Sequence, residues 1–357
     1  MTDVVLHQFP NGEAIVWHKE TKSIAVHFLA PKKVLSTSLL NGGYREDLDA
    51  VFNYTCGGPN SCMSLKEFEI HIAQEAAAMG FDPARTTGVG TAALMKNAAV
   101  SVKSYGALTV TACVTAGVEG NAGCAGDPAF YYGGEDQEMV KPGTINILLF
   151  LGADMPPGVL ARAMVTAVEA KTAALRELAV GSRYSREPAT GTGTDSMILV
   201  ADPAAPVYFR GAGKHNKLGE LIGLSVKEAV KGALRKQNGL MPAVQHDALE
   251  RVRRYGITED LLETIAKENG HEFSIRRAAV FRESWLVLDC TFYIRLLDEF
   301  RWGLIEGEEA LGMGRHLLDA VAVWGGIPPV VLDSPEEAPM VRALAEVLSR
   351  LGSLTDS

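Results

Sequence analysis

Residues 141–151 read KPGTINILLFL, and this run decides the fold class. Pro-Gly breaks whatever precedes it, and the eight residues that follow are almost continuously apolar. The run is too short for a core helix, so it reads as a strand buried on both faces. Downstream, Pro156-Pro157 opens a helix expected to reach about Leu178, with Ala, Val and Leu on its inner face. Residues 195–201 and 207–209 then read as two further strands, and residues 218–236 as a second long helix.

Working back toward the start, residues 4–9 and 13–18 flank Asn11-Gly12, a dipeptide that tolerates positive φ and so favours a hairpin. Residues 24–30 and 33–38 continue as strands. Ser64 and Glu67 have capping-box spacing, and Phe68, Ile72 and Ala76 recur at helical intervals, which predicts a helix from near Ser64 to Gly80. From Thr86 to Val118 the composition turns to Val, Thr, Ala and Gly, with strand-like alternation at Val100, Val102, Val110 and Ala112. After Asn238-Gly239 five helical segments follow. The expectation is an α+β protein: a mixed β-sheet core with flanking helices over 1–237, and a mainly helical C-terminal region over 238–357.

Composition narrows the function. The chain has 357 residues, 47% hydrophobic and 22% charged, the proportions of a globular protein with a large core. Its formal net charge is -9 with scattered Lys and Arg, so neither nucleic acid nor an anionic membrane surface is an expected partner. The first residues interleave Asp3, His7 and Glu13 with apolar ones, so no targeting segment is expected. A cytoplasmic location is expected. Five cysteines with no C-x-x-C spacing suggest reduced thiols, neither a disulfide framework nor a structural zinc site.

Five Gly-, Thr- and Asn-rich segments carry the candidate chemistry: SLLNGGYRED (38–47), VTAGVEGNAG (114–123), KPGTIN (141–146), ATGTGTDS (189–196) and GAGKHNKLGE (211–220). Each could be no more than a tight turn. Gathered at one end of a sheet, they would form a rigid polar basin with exposed amide N–H groups. GAGKHNK has neither the spacing nor the hydroxyl of a Walker loop, and ATGTGTD leads into a strand, which argues against a phosphate cradle. No G-x-S-x-G elbow and no H-E-x-x-H motif occur. His18 and His27 read as hydrogen-bonded strand residues, whereas His215 in its glycine-flanked loop is a candidate acid–base group. Asp195 could orient a base, bind an ammonium or close an Asx turn. Glu169 and Lys171, two apart on a helix, do not share a face and read as solvated surface.

In order along the chain, STSLLNGG, TAGVEGNA, GTIN, EAKTAAL, ATGTGTD and LGELIG resemble the CbiZ-type adenosylcobinamide amidohydrolase family. The resemblance implies hydrolysis of the amide joining the corrin propionyl side chain to 1-amino-2-propanol, yielding adenosylcobyric acid for cobalamin salvage. It implies a corrinoid substrate and no required cofactor. Carried over by position, it points to Asn41, Gly42, Gly43, Asn121, Asn146, Glu169, Lys171 and Thr192 for substrate binding. Thr194, Asp195, His215 and Glu220 are the candidate catalytic residues, with Thr194 the favoured nucleophile. Loop amides at Gly42-Gly43 or Gly191–Thr194 are candidate oxyanion donors. A corrinoid-binding or delivery protein without hydrolase activity is the alternative. A self-processing enzyme cut at Gly143-Thr144 or Gly193-Thr194, and a nucleotide-dependent transferase, are further rivals. The helical region after 238 leaves open a second activity, a homo-oligomer interface or a lid.

Overall fold

A computed structural model describes residues 3–56, 65–129, 143–273 and 275–353, and divides the chain into units 1–240 and 241–357. Ser64 of the expected capping box, Lys141 and Pro142 of the KPG opening, and Cys62 lie outside the described residues.

The first unit carries two mixed sheets. One is built from β1 (Val4–Gln8), β2 (Ala14–His18), β3 (Ser23–His27), β6 (Ala50–Thr55) and β7 (Thr86–Thr91), in that order. The other has the order β5 (Gly43–Arg45), β4 (Lys33–Ser36), β13 (Ser196–Ala201), β11 (Thr144–Leu151), β9 (Leu108–Gly117), β8 (Ala99–Tyr105). A two-residue ladder pairs β10 (Ala122–Gly123) with β12 (Gly191–Thr192). Helix α1 is Leu65–Ala78, α2 is Pro157–Glu177 and α3 is Lys217–Asn238.

The alternation of β11 explains the layering. Ile145, Ile147, Leu149 and Leu151 pack with α2 and α3, whereas Leu148 and Phe150 meet Ile24, Val51 and Val89 of the other sheet. All eight β11 residues are buried, as the sequence suggested. Ala25, Phe52 and Tyr54 on the far face of the five-stranded sheet pack on Ile72 and Ala76 of α1. Four layers result: α2 and α3, the six-stranded sheet, the five-stranded sheet, then α1. Truncating Leu149 to Ala between the first two layers costs about 2–5 kcal/mol.

The hairpin and His18 behave as read, whereas His27, among the described residues, is held by ring stacking in place of the expected hydrogen bond. Gly12 takes φ +92° in the first hairpin, and the Asn11 side chain accepts from the Glu13 N–H at 3.1 Å. Asn216 caps α3 by accepting from Leu218 N at 3.0 Å, and Gly239 closes it at φ +67°. His18 bonds Asp3 at 2.8 Å, and His27 stacks on Phe81.

Two readings need correction. Residues 207–209 are not a strand: Tyr208 makes a single bridge with Asp154. The ladder stops there because Pro156 and Pro157 follow and carry no N–H to donate. Conversely, β6 was not anticipated, although it is an interior strand of its sheet, between β3 and β7. AVFNYT is buried along nearly its whole length and shows no alternation to announce it.

The second unit is helical: α4 (Pro242–Gln245), α5 (Ala248–Val252), α6 (Glu259–Glu268), α7 (Ser284–Arg301), α8 (Gly307–Gly325) and α9 (Glu337–Gly352). Leu262, Leu286, Leu297, Leu318 and Leu348 contribute to a core of its own. Among the described residues no helix is long and apolar enough to cross a membrane.

Candidate active site

Strands β11 and β13 run parallel and side by side, and β9 runs antiparallel to β11. Their directions bring the starts of β11 and β13 and the end of β9 to one edge of the sheet. Three of the Gly/Thr-rich segments therefore meet there, and the β10–β12 ladder ties two of them together.

Asp195 organises this edge. Its Oδ1 accepts from Ile145 N at 2.9 Å and from Thr192 Oγ1 at 2.6 Å. Its Oδ2 accepts from Thr192 N at 3.0 Å and from the ammonium of Lys171. The Lys171 and Asp195 side chains are only 8% and 11% exposed, so their charges are shielded from water. Contrary to the reading of Lys171 as solvated surface, α2 points it inward. Gly191 is required beside them, since a Cβ there would overlap the Asp195 carboxylate. With four donors around it, Asp195 fixes the Thr192–Asp195 turn against the first residues of β11.

That turn completes a second arrangement, around the carbonyl of Gly143. Asn121 Nδ2 donates to Gly143 O at 3.0 Å, and Thr194 Oγ1 donates to it at 3.1 Å. The Gly143 carbonyl can only accept, so the Nδ2 end of Asn121 faces it, and the Tyr184 hydroxyl donates to the Oδ1 end at 2.6 Å. The Thr144 and Thr194 hydroxyls are hydrogen-bonded to each other. Gly143 takes φ +152°, and a Cβ on it would press on Asn121 Cβ at 3.0 Å and on Gly117 O at 3.1 Å. Asn121 is buried, Thr144 is 7% exposed, and Thr194 faces solvent.

One strand position further in, Asn146 faces the other sheet. Its Nδ2 donates to Asn53 Oδ1 at 3.0 Å and to Gly90 O at 2.9 Å, while Asn53 donates to Thr115 Oγ1 at 2.8 Å. Its Oδ1 has no donor among the described residues. Asn146 thus stitches the two sheets together beneath the Thr144–Thr194 pair.

The expected single gathering of all five segments does not form. Asn41, at φ +51°, spends its Nδ2 on the carbonyls of Pro83 and Thr86 at 2.7 and 2.8 Å. The segment nevertheless begins beside the same edge, since Thr37 N donates to Met197 O at 3.0 Å, two residues past Asp195, and Ser38 Oγ donates to Gly88 O at 2.5 Å. Gly42, in the turn between β4 and β5, and Gly43, the first residue of β5, are exposed, and a Cβ on Gly42 would overlap Ser38 O. GAGKHNKLGE is the segment that lies elsewhere. Asn238, at the end of α3, accepts from Val118 N just beyond β9, whereas Lys217, at its beginning, stacks on Tyr105 in the β8–β9 hairpin. A helix of 22 residues spans about 33 Å. Glu220, paired with Lys217, and exposed His215 therefore sit at the opposite end of the sheet from Asp195. Glu169 is exposed on α2 and pairs with Lys214 at 2.8 Å. Directional pairing, which loop composition does not encode, separates these groups.

Among proteins of known sequence, a family model described as adenosylcobinamide amidohydrolase (CbiZ) matches residues 6–242. The chain belongs to the adenosylcobinamide amidohydrolase family. An uncharacterised protein of Methanocaldococcus jannaschii, MJ1613, is 33% identical over 234 residues, covering 62% of this chain and 88% of that one. The crystal structure of the PH0078 protein from Pyrococcus horikoshii aligns over 66% of this chain and 83% of that chain at a TM-score of 0.32 and 10% identity.

The adenosylcobinamide amidohydrolase match takes in nearly all of the first unit and ends two residues into the second. The helical unit is an addition to the family core. Of the edge cluster, the sequence marked Thr144 only as one side of a Gly143-Thr144 self-processing junction, and it did not mark Tyr184 at all. Tyr184 lies in SRYSREP, where no period or motif singles it out.

Proposed function

We propose that this protein hydrolyses the amide linking the corrin propionyl side chain to 1-amino-2-propanol in adenosylcobinamide, giving adenosylcobyric acid for cobalamin salvage. Family membership supports the reaction class. The observation that carries the reading within the molecule is the Gly143 carbonyl, an amide oxygen already held by two side-chain donors next to a pair of threonine hydroxyls.

Hydrolysis of an unactivated amide needs a nucleophile, donors for the tetrahedral oxyanion and a proton for the departing amine. The edge cluster supports the first two. A hydroxyl of the Thr144–Thr194 pair attacks the carbonyl carbon, and Asn121 Nδ2 stabilises the charge that develops on oxygen. The Lys171–Asp195 pair keeps the turn and the start of β11 in register and takes no proton itself. Water is the only other reactant, so no cofactor is part of this reading, and a cytoplasmic location is.

The test is incubation with adenosylcobinamide followed by mass analysis of the corrinoid. Release of 1-amino-2-propanol with formation of adenosylcobyric acid is expected. Tight binding with no release would replace the reading with that of a corrinoid-delivery protein.

A further inference from the structure

We infer that the chain cuts its own backbone between Gly143 and Thr144, and that the Thr144 so freed is the nucleophile of the hydrolase. The second half rests on the function proposed above; the first half stands on geometry alone.

The Gly143 carbonyl is arranged as a substrate would be. Two donors from distant segments, Asn121 Nδ2 and Thr194 Oγ1, hold its oxygen at 3.0 and 3.1 Å, the range of an oxyanion hole. Tyr184 braces the other end of that amide through Asn121 Oδ1. The hydroxyl of the next residue, Thr144, is bonded to Thr194, which in turn donates to that carbonyl. Gly143 permits the approach, because a side chain there would push Asn121 away. The Lys171–Asp195 pair anchors both sides of the arrangement, through Thr192 and through Ile145. In an intact chain, moreover, Gly143 O occupies the donors that a corrinoid amide needs. Cutting the bond vacates them.

The step balances. Thr144 Oγ adds to the Gly143 carbonyl carbon as its hydroxyl proton passes, by way of Thr194, to the Thr144 nitrogen. The C–N bond breaks, leaving Gly143 esterified to Thr144 Oγ and a free α-amine on Thr144. One water hydrolyses the ester, giving the Gly143 carboxylate and the Thr144 hydroxyl. In turnover the α-amine accepts the hydroxyl proton as Thr144 Oγ attacks the substrate amide, the pairing of an N-terminal threonine with its own amine as base. The proton moves on to the departing 1-amino-2-propanol nitrogen, and a second water releases the acid from Thr144.

Intact-mass analysis under denaturing conditions, with N-terminal sequencing, tests the cut on the full chain. Fragments 1–143 and 144–357 are expected, the second beginning Thr-Ile-Asn-Ile. Thr144→Ala should remain a single chain with an unchanged circular dichroism spectrum. Should that variant fail to fold, Thr144→Ser should still be cut, and Asn121→Ala should accumulate at least tenfold more uncut chain than wild type. A wild-type preparation that stays full length, or a Thr144→Ala chain cut at the same bond, overturns the inference. Turnover of adenosylcobinamide by an uncut chain would sink the cut and uphold the hydrolase. A cut chain that releases no aminopropanol does the reverse.

Discussion

The ammonium of Lys171, midway along the second half of α2, meets the carboxylate of Asp195 one residue before β13, and neither charge is open to water. Removing one member of a buried pair leaves the other uncompensated, at a cost of about 3–5 kcal/mol. Lys171→Met should therefore lower unfolding stability by that order, read as a reduced denaturant midpoint at unchanged slope. A loss under about 0.5 kcal/mol, the usual range for surface sites, would show the pair to be ornamental.

Asn121 offers its amide where an oxyanion would form. Asn121→Ala should reduce kcat/KM toward adenosylcobinamide by about 10²–10³, the range for losing one such donor. Tyr184→Phe should act in the same direction but less, since it frees the amide to turn without deleting it. Steady-state kinetics on both variants separate the two effects; equal losses would mean that Tyr184 touches substrate.

Asn41 has two reasons to be asparagine: positive φ, and two bonds to the carbonyls of Pro83 and Thr86. Glycine satisfies only the first. Asn41→Gly should still destabilise by about 1–3 kcal/mol through the carbonyls left without a donor, and Asn41→Ala by more. Full stability in Asn41→Gly would reduce the residue to a turn former.

Glu177 ties α2 to α3 through Lys227 and Lys231, and the bond from Lys227 foremost, with that from Lys231, holds its carboxyl below the usual 4.5. A depressed folded-state value means stabilisation present above the unfolded value and lost as pH falls through the folded one. The stability gap between wild type and Glu177→Gln should be open at pH 6, close in acid, and shrink with added salt. A gap constant with pH would refute the linkage.

Several features were legible from residues alone because they are local. A Pro-Gly break before an apolar run gave β11, Pro156-Pro157 gave the start of the first long helix, and Asn11-Gly12 gave the first hairpin. The ordered set of short Gly/Thr/Asn motifs was enough to reveal the family. Lys171 was misread because spacing on a helix tells which neighbours share a face, and the face turned inward depends on what packs there. His215 and Glu220 looked like partners of Asp195 because all lie in similar loops.

The chain's local chemistry thus determined its elements, its fold class and its family. Tertiary structure alone decided which loops share an edge. Parallel pairing of β11 with β13, and antiparallel pairing of β9, bring Asn121, Thr144, Thr194 and Asp195 together, while the length of α3 carries His215 and Glu220 away. The reason is physical: turn and strand propensities act over a few residues, whereas strand direction is set by which faces bury one another across the whole unit.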